Sequence, residues 1–433
     1  MRPRTFNLLI AIHLWGTPLM TKYVTVGCGP AACSAAEAIR QADAGADILL
    51  LSFEEVRTLA RPRLVEYASG QIPLQELESN KPEWFKERDL AVRLGVRVEH
   101  LDVARRELTL AGGEKVPYDK LLIACGIQPR RAPFPGAELD GVAVMNHQSE
   151  ADAVRKIVER TEHAVAVGGG LLGQDISMAL RQAGRGVTML VREDRVGVPQ
   201  WDPRGSEILL EELRGLGIDV RLETEVARVE GDGDGRAARV VTTRGDMIDC
   251  QLVFAAIGSL PRSDWLKDSS VEVSRGIVVD DRLATAEADV WAAGSCAEIH
   301  TCGRVLIQAS WGNALAQGKA AGQNMAGDGE PYCKPSDYTT KVGETKFSLF
   351  GGAKAAHGPG RFVIFDPPEG PYGALLEERG IVHGGVLAGR HKKAKEIKAL
   401  QLRDEPVPGL AEMDERNEMS LDAFYEERLG GKG

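Results

Sequence analysis

Tyr23–Val26 is a short apolar-leaning run that stops at a glycine cluster, Gly27-Cys28-Gly29. An alanine-rich stretch, Cys33–Ala42, follows, and then a second apolar run, Asp47–Ser52. A run of this length without alternation, bounded by turn residues, predicts a strand buried on both faces, as in a parallel sheet. The small side chains of Ala35, Ala36 and Ala38 let a helix lie close to that sheet. The pattern is therefore strand, glycine turn, helix, strand. It returns at Ala164–Val167, Gly168–Gly173, a helix to Ala183, and Val187–Val191.

Other apolar runs predict more strands of the same kind. Glu114–Lys120 leads into Leu121–Gly126, and Cys250–Gly258 occupies the matching place after the second unit. Ile277–Asp280 and Asp289–Gly294 follow. Glycine- and aspartate-rich segments at 231–235 and 327–330 predict turns or boundaries. Towards the C-terminus the pattern predicts strands at Thr345–Phe350, Arg361–Asp366, Gly373–Glu377 and Gly380–Val386. A basic helix is expected over Arg390–Leu402, then an acidic tail with nine acids against three bases.

The glycine turns carry candidate chemistry. A dinucleotide's pyrophosphate needs backbone N–H groups at a helix start and no side chain in the way. The first glycine permits the turn, the second admits the pyrophosphate, and the third small residue lets helix and strand touch. Gly27, Gly29 and Ala32 fit as GxGxxA, and Gly168, Gly170 and Gly173 as GxGxxG. One match is weak; two, each between a strand and a helix, are strong. Glu54, with Glu55 beside it, is placed to hold a ribose. In the second unit Arg192 stands where a ribose acid often would, which suits a 2′-phosphate. Glu193 would serve NADH instead, and the balance leans to NADPH.

Composition narrows the class. Of 433 residues 43% are hydrophobic and 27% charged, which excludes a disordered chain, a fibrous one and a small disulfide scaffold. A net charge of -10 makes a poor general binder of nucleic acid. No run approaches the ~18 apolar residues of a membrane-spanning helix. The 49 glycines exceed the usual share and fit cofactor loops. Seven scattered cysteines without a CxxC point to free thiols in a reducing cytoplasm. Residues 1–19 weakly mimic a signal peptide but lack a small-x-small cleavage site, and Met20 precedes the first strand. They are expected to be a leader or an overlong start.

The order of these segments resembles the flavoproteins with two dinucleotide-binding domains. That group includes glutathione-reductase-like enzymes, ferredoxin and rubredoxin reductases, NADH oxidases and the flavin part of assimilatory nitrite reductase. Val24–Arg40, Val116–Arg130, Val165–Leu180, Phe254–Arg262 and Ile277–Glu298 carry the resemblance. It implies an α/β fold of two Rossmann-like domains, glutathione-reductase-like, with a C-terminal α+β interface domain. The implied FAD-binding domain is 20–145 with 263–332, the NAD(P)-binding domain 146–262, and the interface domain 333–433. FAD would sit on the first unit and NAD(P)H on the second. Gly126 and Gly294 match flavin-contacting turns, and Gly258 a turn beside the nicotinamide nucleotide. Ser310–Gly318, with Trp311, matches the helix start facing the flavin. Ala60–Leu64 resembles a Ser-Arg-Pro segment that puts Arg61 near FAD.

Three positions depart from the family. Ser295 replaces the usual aspartate after Gly294, Asp175 replaces the glutamate near nicotinamide and flavin, and Glu66 replaces a lysine. Cys28 and Cys33 have CxxxxC spacing, but they lie in and behind the pyrophosphate loop and are expected to pack against the sheet. The peroxidase-type cysteine is absent from Leu59–Leu64. Cys296, His300 and Cys302 match no common zinc spacing, so no metal site is expected. His383 and His391 are expected at the surface. The resemblance implies flavin-centred, cytoplasmic electron transfer from NAD(P)H to an iron–sulfur protein or subunit. The basic helix with Arg390, Lys392, Lys393, Lys395 and Lys398 is one docking candidate. Alternatives are a flavin subunit active only inside a larger tungsten or molybdenum complex, or an NAD(P)H oxidase. A homodimer and a hetero-oligomer both stay open.

Overall fold

The computed structural model describes residues 20–198, 201–301, 304–327, 329–351, 360–403 and 405–430. The expected leader, 1–19, lies outside them. The first apolar runs form a five-stranded parallel sheet, with Lys22–Val26 at its centre between Asp47–Leu51 and Lys120–Ile123. Ala91–Arg93 forms one edge and Val290–Ala292 the other, so a strand far along the chain completes the first sheet. Val24, Leu50, Leu121, Leu122 and Ile123 are wholly buried, as strands covered on both faces must be. The chain leaves the central strand towards one neighbour and returns on its other side. Such a reversal opens a crevice at the strands' carboxyl ends.

The second unit repeats the arrangement. His163–Val167 lies between Gly186–Leu190 and Leu252–Ala255, all parallel. Asp219–Arg221 and Val142–Ala143 form the edges. The two units are joined by two chain crossings. Strand Ile127–Pro129 on the way out pairs antiparallel with Ser259–Pro261 on the way back.

The C-terminal part is a six-stranded, mostly antiparallel sheet: Asp337–Val342, Thr345–Gly351, Ile381–Ala388, Tyr372–Glu378, Arg361–Phe365 and Arg416–Asn417, in that order. The four strands expected there form close to their predicted bounds. The expected basic helix over 390–402 is shorter. An α-helix covers only Ala394–Ala399, continued by a 3-10 turn, Leu400–Leu402. The Asp422 carboxylate accepts the backbone N–H of Lys392 and Lys393, which holds these residues in a turn before the helix starts.

A seam of small residues sets the site's depth. Helix Trp311–Ala326 lies against helix Pro30–Ala42 so closely that a Cβ on Gly318 would come 2.1 Å from the Ala31 carbonyl oxygen, and one on Gly322 would come 2.4 Å from that of Ala35. The two helices therefore bring their N-termini to the same crevice.

Three expectations need correction. His391 is buried, with Nε2 2.8 Å from the Tyr372 carbonyl oxygen and Nδ1 3.5 Å from Asp422, because the helix Leu421–Leu429 covers it. His383 is part-buried and lies 4.0 Å from Glu378. Cys28, Cys33, Cys125, Cys250 and Cys296 are free thiols, whereas Cys333 is disulfide-bonded. Cys302 lies outside the described residues.

Candidate functional site

Both glycine helices begin without a side-chain cap. Gly29 precedes Pro30–Ala42 and Gly170 precedes Leu171–Gln182, and neither offers an oxygen to the exposed N–H groups. Asp202, Ser310 and Ser420 do cap their helices. The uncapped ends leave donors and partial positive charge for an anion. Gly27 has φ +124°, and a Cβ there would come 2.2 Å from the Ala124 carbonyl oxygen. Gly29 is different: a Cβ would meet nothing within 4 Å. The first glycine is required by the protein's own packing, and the second borders open space.

That space is a cavity of about 1060 Å³. It runs from Gly27 and Gly29 past Glu54, Arg61, Gly126, Gly294, Ser295 and Trp311 to Asp175 on the second glycine helix. The C-terminal sheet closes the far end through Tyr338, Leu349 and Phe350. Segments from the first unit, the second unit and the C-terminal sheet thus meet around one crevice. Ala32, Gly168, Gly170, Gly173, Arg192 and Gly258 do not line it. Ala32 is buried at the helix–sheet contact. The second glycine turn itself is not in the lining, although Leu171 and Leu172 directly after it are, and Gly258 lies next to Arg130 at the chain crossing.

The electrostatics are set by paired charges. Arg61 Nη2 lies 2.5 Å from Glu54 Oε1, so the two predicted cofactor residues bind each other. Burial pushes the Glu54 carboxyl up, but hydrogen bonds from His147 and Arg61 and the Arg61 charge hold it below its usual range. Burial raises Asp175 to about 6, against a smaller lowering by the Tyr338 hydroxyl. Glu66 shares Arg63 with Glu76, each at 3.0 Å. The Gly294 N–H donates to Gln317 Oε1 at 2.7 Å, and Gln317 in turn donates to Gln308. Arg192 is 71% exposed and pairs with Glu193 at 2.8 Å. Of the basic residues near 390–402, Lys393 meets Glu426 and Lys398 meets Asp337, so that face carries its own counter-charges.

Cys28 and Cys33 are buried. The Cys33 thiol lies 2.9 Å from the Thr58 hydroxyl and donates to the Cys28 carbonyl oxygen at 3.6 Å, and the neighbouring thiols shift each other, Cys28 down and Cys33 up. Among the described residues no cluster of three or more His, Cys, Asp or Glu side chains is arranged to hold a metal. No helix there is long and apolar enough to cross a membrane.

Asn146, His147 and Arg262 also line the cavity and were not anticipated. They lie at the chain crossings, where no periodic pattern marks them.

Two uncapped glycine turns on two parallel sheets, with one long cavity running from the first turn to the helix that follows the second, define a protein with two dinucleotide-binding units. The chain belongs to the pyridine nucleotide-disulphide oxidoreductase family, which matches residues 21–318. It is an oxidoreductase that uses FAD and NAD(H) to transfer electrons. It is 28% identical to a rubredoxin-NAD(+) reductase from Pseudomonas putida over 72% of this chain and 82% of that one. It is 29% identical to the NADH-dependent phenylglyoxylate dehydrogenase subunit epsilon of Aromatoleum evansii, over 76% and 77%. Its fold is similar to that of a ferredoxin reductase from Rhodopseudomonas palustris, with a TM-score of 0.82 at 24% identity, covering 89% of this chain and 95% of that one.

Proposed function

We infer that the chain takes electrons from NADH, through FAD, to an iron–sulfur protein or an iron–sulfur partner subunit. In this reading residues 20–145 and 263–332 hold FAD, 146–262 hold the nicotinamide nucleotide, and 333–433 form the interface domain. The observation that carries it is the single cavity running from the first glycine turn to Asp175 of the second glycine helix. Names of relatives such as the rubredoxin-NAD(+) reductase support the acceptor and favour NADH over NADPH. The Arg192–Glu193 pair accords with this, because Arg192 is already partnered by an acid.

The residues present fit FAD. The space beside Gly29 and the uncapped helix behind it suit the pyrophosphate. Arg262 Nε is buried without a partner among the described residues and is a donor in waiting. Bound flavin would supply the conversion between a two-electron hydride donor and one-electron acceptors.

The protein's part is binding, orientation and charge. Glu54 would bind a ribose through the carboxylate oxygen that Arg61 does not use. Gly126, Gly294 and Ser295 would bring backbone and a hydroxyl to the cofactor without a charge, because Ser295 replaces the usual aspartate. Asp175 would sit at the meeting of the two cofactors, with Tyr338 holding its carboxyl. Glu66 presents a carboxylate, sharing Arg63 with Glu76, where a lysine is usual. Trp311 would stand at the cavity edge, where electrons leave. A cytoplasmic setting is supported by the five free thiols, with the Cys333 bond as the exception.

The test is an anaerobic titration of the purified chain with NADH and, separately, NADPH, following the visible flavin band. NADH is expected to bleach it, and the reduced protein is expected to reduce rubredoxin or a [2Fe–2S] ferredoxin. A flavin-loaded chain that neither nucleotide bleaches would refute the reading.

A further inference from the structure

Two side chains at the chain crossings bind each other across the cavity wall. His147 precedes helix Gln148–Glu159 on the way into the second unit. Arg262 follows strand Ser259–Pro261 on the way back, and its backbone N–H donates to the Gly126 carbonyl oxygen at 3.1 Å. Arg262 Nη2 lies 2.7 Å from His147 Nε2. A guanidinium only donates, so Nε2 accepts and the ring proton sits on Nδ1. That nitrogen lies 3.5 Å from Glu54 Oε1, the oxygen that also receives Arg61. Arg61 Nη1 lies 2.5 Å from the Asn146 carbonyl oxygen and 3.4 Å from His147 Nδ1, so the Arg61 guanidinium packs against the same His147–Glu54 contact. Phe53 fills the space between: the Arg262 guanidinium lies 4.4 Å from its ring centre, and the His147 ring meets it edge-on at 4.8 Å. Among the described residues nothing bonds Glu54 Oε2.

The end of strand Asp47–Leu51 is therefore tied to both crossings through one carboxylate oxygen, while the other oxygen faces the cavity. We propose that His147 and Arg262 are positioning residues that couple cofactor occupancy at Glu54 to the seating of the second dinucleotide unit. This rests on the reading of Glu54 as a ribose ligand. A hydroxyl on Oε2 fixes the plane of the carboxylate, and the fixed plane keeps Oε1 aligned with His147 and Arg61. Hydrogen bonds in such a chain strengthen one another. The coupling is reciprocal: a nucleotide that seats the second unit must tighten FAD by the same factor. Breaking the chain at His147 leaves Arg262 half-buried without an acceptor, and the crossings then move independently of the cofactor.

The experiment measures the FAD dissociation constant of the deflavinated full chain with and without saturating NAD⁺, which cannot reduce the flavin. The wild-type protein is expected to bind FAD about fivefold or more tightly with NAD⁺ present. In His147→Leu and in Arg262→Met that factor is expected to fall to about one. His147→Gln, which keeps one acceptor and one donor, is expected to restore most of it. A purely structural role would lower the melting temperature but leave the factor intact. A wild-type factor of one, or an unchanged factor in a folded Leu or Met variant, overturns the proposal. Should His147→Leu not fold, Arg262→Met reads the same quantity. A chain that takes up no FAD, or whose flavin neither nucleotide bleaches, defeats the functional reading instead. Bound, bleachable flavin with an unchanged factor defeats only this inference.

Discussion

Asp175 offers a test in which the magnitude follows from its surroundings. Burial raises its carboxyl from 3.8 to about 6, although the Tyr338 hydroxyl pulls the other way. The folded value lies above the unfolded one, so the folded chain prefers the proton. Below about pH 4 both states hold it and Asp175 costs nothing. As the pH rises through about 6, the folded state must accept a poorly hydrated charge, and stability falls by up to about 3 kcal/mol. Asp175→Asn removes the titration while keeping size and polarity. Urea unfolding of both proteins, at matched flavin content, should show the variant gaining on wild type by up to about 3 kcal/mol between about pH 4 and pH 8. Most of the gain should fall between about pH 4 and 6. A stability difference that does not change with pH would refute the argument. Tyr338→Phe should move the transition to higher pH, because it deletes the group that lowers the Asp175 value.

Four further outcomes are expected. Gly27→Ala should destabilise the fold by about 2 kcal/mol or more, since its φ and the 2.2 Å approach to Ala124 both exclude a Cβ. Gly29→Ala should leave thermal stability nearly unchanged and yet lower flavin per chain; equal effects in the two variants would contradict the division of roles. Arg192→Ala should change the KM for NADH by no more than about twofold, because Arg192 is exposed and paired with Glu193, and a tenfold rise would show it in contact with the nucleotide. Cys33→Ala should cost about 1 kcal/mol, through the lost Thr58 contact, and keep NADH-to-dye turnover. Loss of turnover in a folded Cys33→Ala protein would reopen a redox role for the CxxxxC pair.

The two glycine turns were legible because they are local. A strand, a turn and a helix start lie within a dozen residues, and each needs residue types that few other structures need in that order. The strands of the C-terminal sheet were legible for the same reason, as short apolar runs between glycines and prolines. The helix expected over 390–402 starts only at Ala394, because Asp422, distant in sequence, binds the backbone N–H groups of Lys392 and Lys393 and holds them in a turn. His391 was placed at the surface because nothing nearby marks it as buried. Its cover, helix Leu421–Leu429, comes from a distant segment.

The sequence by itself determined the two parallel units, their order and the residue types that a dinucleotide requires, because hydrophobic periodicity and glycine spacing are properties of neighbours. Only the tertiary structure decided which of those residues share a cavity. It brought Glu54, Arg61, Gly126, Gly294, Trp311 and Asp175 to one crevice and left Arg192 and the second glycine turn outside it. It also joined Glu54 to Arg61, and His147 to Arg262, across separations of 7 and 115 residues. Such pairs depend on which chain crossings pack together, and packing is settled by the small-residue seam at Gly318 and Gly322 and by the sheets' topology rather than by any local pattern.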